Sequence, residues 1–295
     1  EADRDRVLET VAPLFSLSSD EWIEKLEDNR SHFNVVDLNP TQGIIKKIKD
    51  LKLRGVYVGE RLKRSYPNGE LGASVLGYLT DEYNTPRGQY GVEEAYQKQL
   101  GNSDYPANIT LTLDYNLQQK GEQMLDDLMG DWKAEAATLI VEDPKTGAIL
   151  AMAQKPGFDP NTYSKASLKT FLNQNISSVY EPGSVFKALT FAGALDAGKI
   201  TPETTYRDTG SLSLSGYTIR NWDKKSYGTQ TMVQVLENSL NTGAAFIEKQ
   251  LGPDLFLKYV KDFGFGAKTK IDLPGEVVGN VNNLKGFEQL HFATA

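Results

Sequence analysis

The chain has 295 residues, 39% hydrophobic and 24% charged, which suits one large folded domain or two ordinary ones. Its net charge of −7 argues against nucleic acid as the main partner, because phosphate binding wants a basic surface. With no cysteine and only His32 and His291, disulfides and thiolate metal sites are excluded. A His-based zinc site or a Ser-His-Asp triad is disfavoured, and neither a metal nor another cofactor is expected.

Residues 1 to about 55 read as helical and polar. Ser19 opens a segment with acids in its first turn, Asp20 to Leu26, as a helix start should. Asn39-Pro40-Thr41 starts another, with Ile44, Ile45, Ile48 and Leu51 at helical spacing. Arg64 to Gly69 is a turn by composition, Leu71 to Leu79 is apolar and small, and Gly88 to Glu94 opens a further helix. The polar stretch Gly101 to Ala107 predicts a domain boundary, giving domains 1–106 and 107–295. Beyond it, Ile109 to Leu113 alternates with period two and predicts a strand. Asp114 then caps a helix carrying Leu117, Met124, Leu125 and Leu128. Two apolar runs, 137–141 and 148–153, joined by Asp143-Pro144-Lys145-Thr146-Gly147, predict a β-hairpin. An apolar helix is predicted over 184–197, a strand over 212–219, and helices over 233–240 and 244–251. No stretch approaches the ~18 apolar residues of a membrane helix. A start at Glu1 rather than Met implies a trimmed or processed chain.

Among all serines, only Ser184 has a lysine three positions on, Lys187. At this spacing on a helix the two side chains share a face. A serine hydroxyl is a weak nucleophile until a base takes its proton, and burial makes a lysine such a base by penalising its charged form. Val185, Phe186, Ala188 and Leu189 are expected to supply that burial. Pro182-Gly183 places Ser184 in a first helical turn, where free N–H groups favour a developing negative charge. A single Ser-x-Asn also occurs, Ser239-Leu240-Asn241, 55 residues after Ser184 (239 − 184). A second serine can relay protons, and an asparagine amide can hold a carbonyl group. Taken singly, each match is more often chance, a helix cap with a solvated lysine in one case and a helix end in the other.

Together the two motifs resemble the serine acyltransferases inhibited by penicillin. Glu181-Pro182-Gly183-Ser184-Val185-Phe186-Lys187 is similar to their nucleophile segment almost letter for letter. Asp143 to Met152 resembles the strand pair before it, and Leu111 to Gln118 the opening of the domain. Arg64-Ser65-Tyr66-Pro67 and Gly91-Val92-Glu93 resemble the amino-terminal module of class B penicillin-binding proteins. The resemblance covers roughly residues 60 to 295. It implies an α+β penicillin-binding fold, an antiparallel sheet with helices on both faces, behind a smaller α+β amino-terminal pedestal.

The same resemblance implies a peptidoglycan D,D-transpeptidase. Ser184 would be the nucleophile, Lys187 the base, Ser239 the proton relay and Asn241 the holder of the substrate amide. Partners would be stem peptides, β-lactams and, through the amino-terminal module, other cell-wall synthesis proteins. The place of action would be the outer face of the bacterial membrane, with the native anchor outside this chain. The family's third motif, Lys-Thr-Gly or Lys-Ser-Gly, should follow the second. Here the only Lys-Thr-Gly is Lys145-Thr146-Gly147, before Ser184, and is read as a structural turn. The third motif is therefore expected beyond Ala295, and the chain alone is expected to be poorly active. Glu237, which mimics a β-lactamase glutamate, is read as an ordinary helix residue. Two rivals remain at this point: a β-lactamase or β-lactam sensor of the same fold, and a non-catalytic interaction module.

Overall fold

The computed structural model describes residues 4–15, 18–27, 36, 40–59, 63–80, 86–101, 107–214 and 217–281. By packing, the chain divides into two units, 1–67 with 79–87 and 68–78 with 88–295. In the first unit, α1 (Arg4–Thr10), α2 (Ser19–Glu27) and α3 (Gln42–Leu51) are amphipathic. Val7, Val11, Trp22 and Leu53 form its core, with Phe15 and Leu51 packed against them. Ser19 is the first helical residue of α2, but the capping falls to Ser18. Its hydroxyl accepts from the Glu21 N–H (3.3 Å), and the Glu21 carboxylate accepts from the Ser18 N–H (2.7 Å). Thr41 caps α3 through the Ile44 N–H. The Asn39 of the predicted helix start lies outside the described residues.

The packing division differs from the boundary expected at 106/107. Residues 68–78 and 88–101 belong to the second unit, because Val75 and Val92 bury themselves with Met152. These residues form α4 (Ala73–Leu76), part of the two-residue strands β1 (Tyr78–Leu79) and β2 (Gly88–Gln89), α5 (Gly91–Ala95) and α6 (Gln97–Leu100). Close backbone approach explains two glycines. Gly77 and Gly91 both have positive φ, and a Cβ would strike the Tyr90 carbonyl in one case and the Val75 carbonyl in the other.

The second unit is organised about strand β4 (Ile149–Lys155), antiparallel to β3 (Ala137–Glu142), with Leu139 opposite Ala153. The joining turn is closed by Asp143, which accepts from the Lys145 N–H and the Thr146 hydroxyl (both 2.9 Å). Lys145-Thr146-Gly147 is thus a hairpin turn. Strand β4 is buried on both faces, Ala151 and Ala153 on one and Met152 and Gln154 on the other. On the Gln154 face, its side-chain amide donates to the carbonyls of Thr170 and Leu172 and accepts from the Gln174 N–H. That holds the segment leading into α8 (Gln174–Ser177).

Helix α7 (Tyr115–Trp132) covers the other face, with Asp114 as its cap. Its buried residues are Gln118, Gly121 and Leu125, whereas Leu117, Met124 and Leu128 are exposed. Close approach to β3 decides this: a Cβ on Gly121 would stand 3.1 Å from Leu139 Cδ2. Gln118 replaces a missing strand. Its amide accepts from the Met152 N–H (2.8 Å) and donates to the Met152 carbonyl (3.0 Å). The strand predicted over Ile109 to Leu113 belongs to no ladder, although its alternation is expressed. Ile109, Leu111 and Leu113 pack against the Val75–Val92–Met152 core while Thr110 and Thr112 face solvent.

The rest of the unit carries α9 (Lys187–Asp196), β5 (Thr205–Asp208), β6 (Ser211–Leu214), β7 (Tyr217–Arg220), β8 (Gly228–Thr231), α10 (Met232–Glu237), α11 (Asn241–Leu251) and α12 (Pro253–Asp262). β5 pairs with β8, and β6 with β7. The single strand predicted over 212–219 is thus a hairpin, with Leu212 opposite Ile219. The predicted helix from Ser184 begins as a 3-10 turn, Gly183–Phe186, and becomes α-helical at Lys187. Helices α9, α11 and α12 bury Phe191, Ala194, Ile247, Phe256 and Val260 around a shared core. Among the described residues no helix is long and apolar enough to cross a membrane.

Among the described residues two buried side-chain groups lack a hydrogen-bond partner, the Trp22 Nε1 and the Thr190 hydroxyl on α9. Such a group costs about 1–3 kcal/mol. Thr190→Val, which swaps the hydroxyl for a methyl, should leave thermal stability unchanged or raise it by about 1 kcal/mol. A drop in melting temperature on that substitution would show that the hydroxyl has a partner after all.

Candidate active site

The geometry centres on Lys187, the first residue of α9, which is 1% exposed. Gly183, at φ 66°, turns the chain into the 3-10 segment that carries Ser184. Three residues on, the Lys187 Nζ lies 3.1 Å from Ser184 Oγ, and Ser184 itself is exposed to solvent. Local spacing alone therefore delivers the serine–lysine pair.

The remaining partners arrive from the junction of α10 and α11. Ser239 sits there with φ 49°, a left-handed conformation that costs a non-glycine residue ~1–2 kcal/mol. It is held by its N–H on the Leu236 carbonyl (3.1 Å), by the Leu240 N–H on the Val235 carbonyl (2.9 Å), and by the complete burial of Leu240. The conformation aims both the carbonyl and the hydroxyl of Ser239 at Lys187 Nζ, at 2.8 and 3.1 Å. Asn241 Oδ1 is 2.5 Å from the same nitrogen. The Asn241 Nδ2 donates to the Arg220 carbonyl at 2.9 Å. A carbonyl only accepts, so this bond fixes the amide's orientation and leaves Oδ1 for the lysine. Ser184, Lys187, Ser239 and Asn241 thus lie together, all four within one hydrogen-bond shell.

The acceptor count has a chemical consequence. Four acceptors face one lysine nitrogen. Two of them, the Ser239 carbonyl and Asn241 Oδ1, can only accept. A neutral amine has two N–H bonds, enough for these two, and one lone pair left over for a hydroxyl proton. Burial pulls the Lys187 pKa from its ordinary value down to about 8, so the neutral form is accessible near neutrality. Only some of the expected neighbours are placed to supply that burial. Val185 and Ala188 face solvent, and of the four only Phe186 is buried. The lysine is closed in by α11 packing on α9 and by the 239–241 turn.

A group that sequence reasoning missed stands behind Asn241. Asp208, Asn221 and Thr242 are all buried, and the Asp208 carboxylate bonds to both of the others. The only local signal was Asp208 followed two residues on by Gly210, which reads as an ordinary turn. Glu237 ends α10 and is exposed.

Two family models match. The penicillin binding protein transpeptidase domain matches residues 137–295, and the penicillin-binding protein dimerisation domain matches residues 1–112. The chain belongs to the penicillin-binding protein transpeptidase family. The two domains in tandem place it among the class B members, where its relatives also fall. It is 34% identical to stage V sporulation protein D of Bacillus subtilis over 79% of this chain and 40% of that protein. It is 28% identical to the peptidoglycan D,D-transpeptidase MrdA of Acinetobacter baumannii over 93% of this chain and 48% of that protein. The crystal structure of a putative peptidoglycan glycosyltransferase from Atopobium parvulum superposes with a TM-score of 0.68 at 29% identity. The match covers 78% of this chain and 57% of that one. The chain thus spans about 40 to 50% of the length of these curated relatives.

A further ionisable group is buried on α11, seven residues after Asn241. Glu248 is 3% exposed, and burial pushes its carboxyl up to about 7. Between the usual glutamate pKa and 7 the folded state then holds more protons than the unfolded state. Stability should therefore fall as pH rises through that window and level off above it. Glu248→Gln should remove this slope and raise stability at pH 8 by up to about 3 kcal/mol. Melting temperatures of both proteins at pH 5 and pH 8 check it, and an equal fall in both would refute the assignment.

Proposed function

We propose that the protein to which this chain belongs is a peptidoglycan D,D-transpeptidase working through an acyl-enzyme on Ser184. The observation that carries this is Lys187: a buried amine, 3.1 Å from an exposed serine hydroxyl, whose N–H bonds are taken up by carbonyl groups. Neutral Lys187 accepts the Ser184 proton as Oγ bonds to the carbonyl carbon between two terminal D-alanines of a stem peptide. The tetrahedral adduct collapses by breaking the C–N bond. The departing D-alanine amine takes a proton from Lys187, relayed by the Ser239 hydroxyl. An amine from a neighbouring strand then attacks the ester carbonyl, Ser184 regains its proton, and a peptide cross-link is formed. A β-lactam carbonyl would meet the same nucleophile. The Ser184 N–H, at the free end of the 3-10 turn, would serve as one oxyanion donor.

In this reading Asn241 orients Lys187 and, with substrate bound, holds the donor amide. The first unit, 1–67 with 79–87, is the pedestal through which other cell-wall synthesis proteins dock, and the enzyme acts on the outer face of the bacterial membrane. The dimerisation-domain match over 1–112 supports this reading over a β-lactamase or sensor.

Intact-mass spectrometry tests the nucleophile. Benzylpenicillin should add one covalent adduct to the full-length protein and none to Ser184→Ala. An adduct that survives in the alanine variant removes Ser184 from the mechanism.

Acylation kinetics test the base. The rate should rise with pH through about 8, as Lys187 loses its proton. Lys187→Arg keeps the charge but cannot deprotonate, so it should lose nearly all acylation. A loss of less than ~10-fold, about 1.4 kcal/mol of barrier, would reduce Lys187 to a positioning group.

A further inference from the structure

We propose that Asp208 is a positioning residue for acylation, acting on Lys187 through Asn241; this rests on the transpeptidase reading above. Asp208 ends β5 and is 1% exposed. Its two oxygens accept four hydrogen bonds. Oδ1 takes the Gly210 N–H (2.9 Å) and the Thr242 hydroxyl (2.8 Å). Oδ2 takes the Asn221 Nδ2 (2.9 Å) and the Tyr227 N–H (2.8 Å). The donors come from the entry to β6, the exit of β7, the approach to β8 and the first turn of α11. One carboxylate thus joins both strand pairs to the helix that bears Asn241.

The connection to the lysine is short. Asn221 and Thr242, the two side chains that Asp208 grips, are the chain neighbours of Arg220 and Asn241. They are also bonded to each other, with the Thr242 N–H on Asn221 Oδ1 at 3.4 Å. Arg220 and Asn241 in turn make the bond that sets the Asn241 amide, Nδ2 on the Arg220 carbonyl. Asp208 therefore fixes the distance between β7 and α11 at the level of that bond. If the two elements separate, the Asn241 amide is free to rotate, and its Nδ2 can replace Oδ1 beside the lysine. Lys187 would then meet a donor where it needs an acceptor, and the neutral amine would lose the arrangement that points its lone pair at Ser184. A carboxylate suits the position because all four partners are donors. In Asp208→Asn one oxygen becomes an NH₂ group facing other donors.

The test is a double-mutant cycle on acylation of the full-length protein by a fluorescent penicillin, with rates corrected for the folded fraction measured by circular dichroism. Asp208→Asn should acylate about 10- to 100-fold more slowly than wild type, the range expected for misplacing a catalytic group. In an Asn241→Ala background the same substitution should cost little more, because the residue it acts through is gone. Thr242→Val, a milder break in the same chain, should be slow, and Thr242→Ser, which keeps the hydroxyl, should be at least about tenfold faster than Thr242→Val. If Asp208→Asn fails to fold, the Thr242 pair and its cycle with Asn241→Ala decide the matter. The proposal is overturned if folded Asp208→Asn acylates within about threefold of wild type, or if its loss is undiminished in the Asn241→Ala background. It is equally overturned if the two Thr242 variants behave alike. A wild-type protein that no penicillin acylates would instead remove the transpeptidase reading itself, and this inference with it.

Discussion

A single desolvated amine organises the described part of the second unit. Lys187 reaches inward from the start of α9 into a site with almost no access to water. An isolated ammonium there would be costly, and every feature around it reduces or redirects that cost. Its nitrogen meets two carbonyls and two hydroxyls, and its pKa falls to about 8. The left-handed turn at Ser239, held by the burial of Leu240, places acceptors around that nitrogen.

The supporting structure solves a matching problem of polar satisfaction with side chains instead of strands. Met152 of β4 has both backbone groups taken by Gln118, and Gln154 does the same for three backbone groups of the 168–177 segment. Asp208 does it for the two small strand pairs. In each case a buried polar side chain stands where a regular ladder would otherwise be needed, and each is fully partnered. The arrangement makes the unit sensitive to single polar substitutions far from any solvent. It also places rigid elements on either side of the 239–241 turn, as a preorganised site requires.

Two apolar patterns in the sequence are real, but neither by itself sets where its residues lie. The alternation over 109–113 is expressed as burial of Ile109, Leu111 and Leu113, but the segment runs beside β4 without joining a ladder. The stripe Leu117, Met124 and Leu128 on α7 lies on the exposed face, because contact with β3 demands a glycine at 121. Periodicity reports that a face exists. Which face is buried depends on how closely two backbones must approach, and that is a property of the pair.

What the sequence determined by itself is whatever depends on short separations. Ser184 and Lys187 meet because three residues of helix bring them together, the 143–147 turn closes because Asp143 can bond its own neighbours, and Thr41 and Asp114 cap the helices that follow them. Ser239 and Asn241 were visible as a motif, but their approach to a lysine more than 50 residues away was not readable from composition or period. The burial of Lys187 was expected from its chain neighbours, yet Val185 and Ala188 face solvent, and α11 and the turn before it close in the lysine. The Asp208–Asn221–Thr242 set was not legible at all, since each residue looks like an ordinary turn or helix polar group. Tertiary structure decided these because desolvation and hydrogen-bond pairing depend on which distant segments share a site, and no local pattern encodes that neighbour.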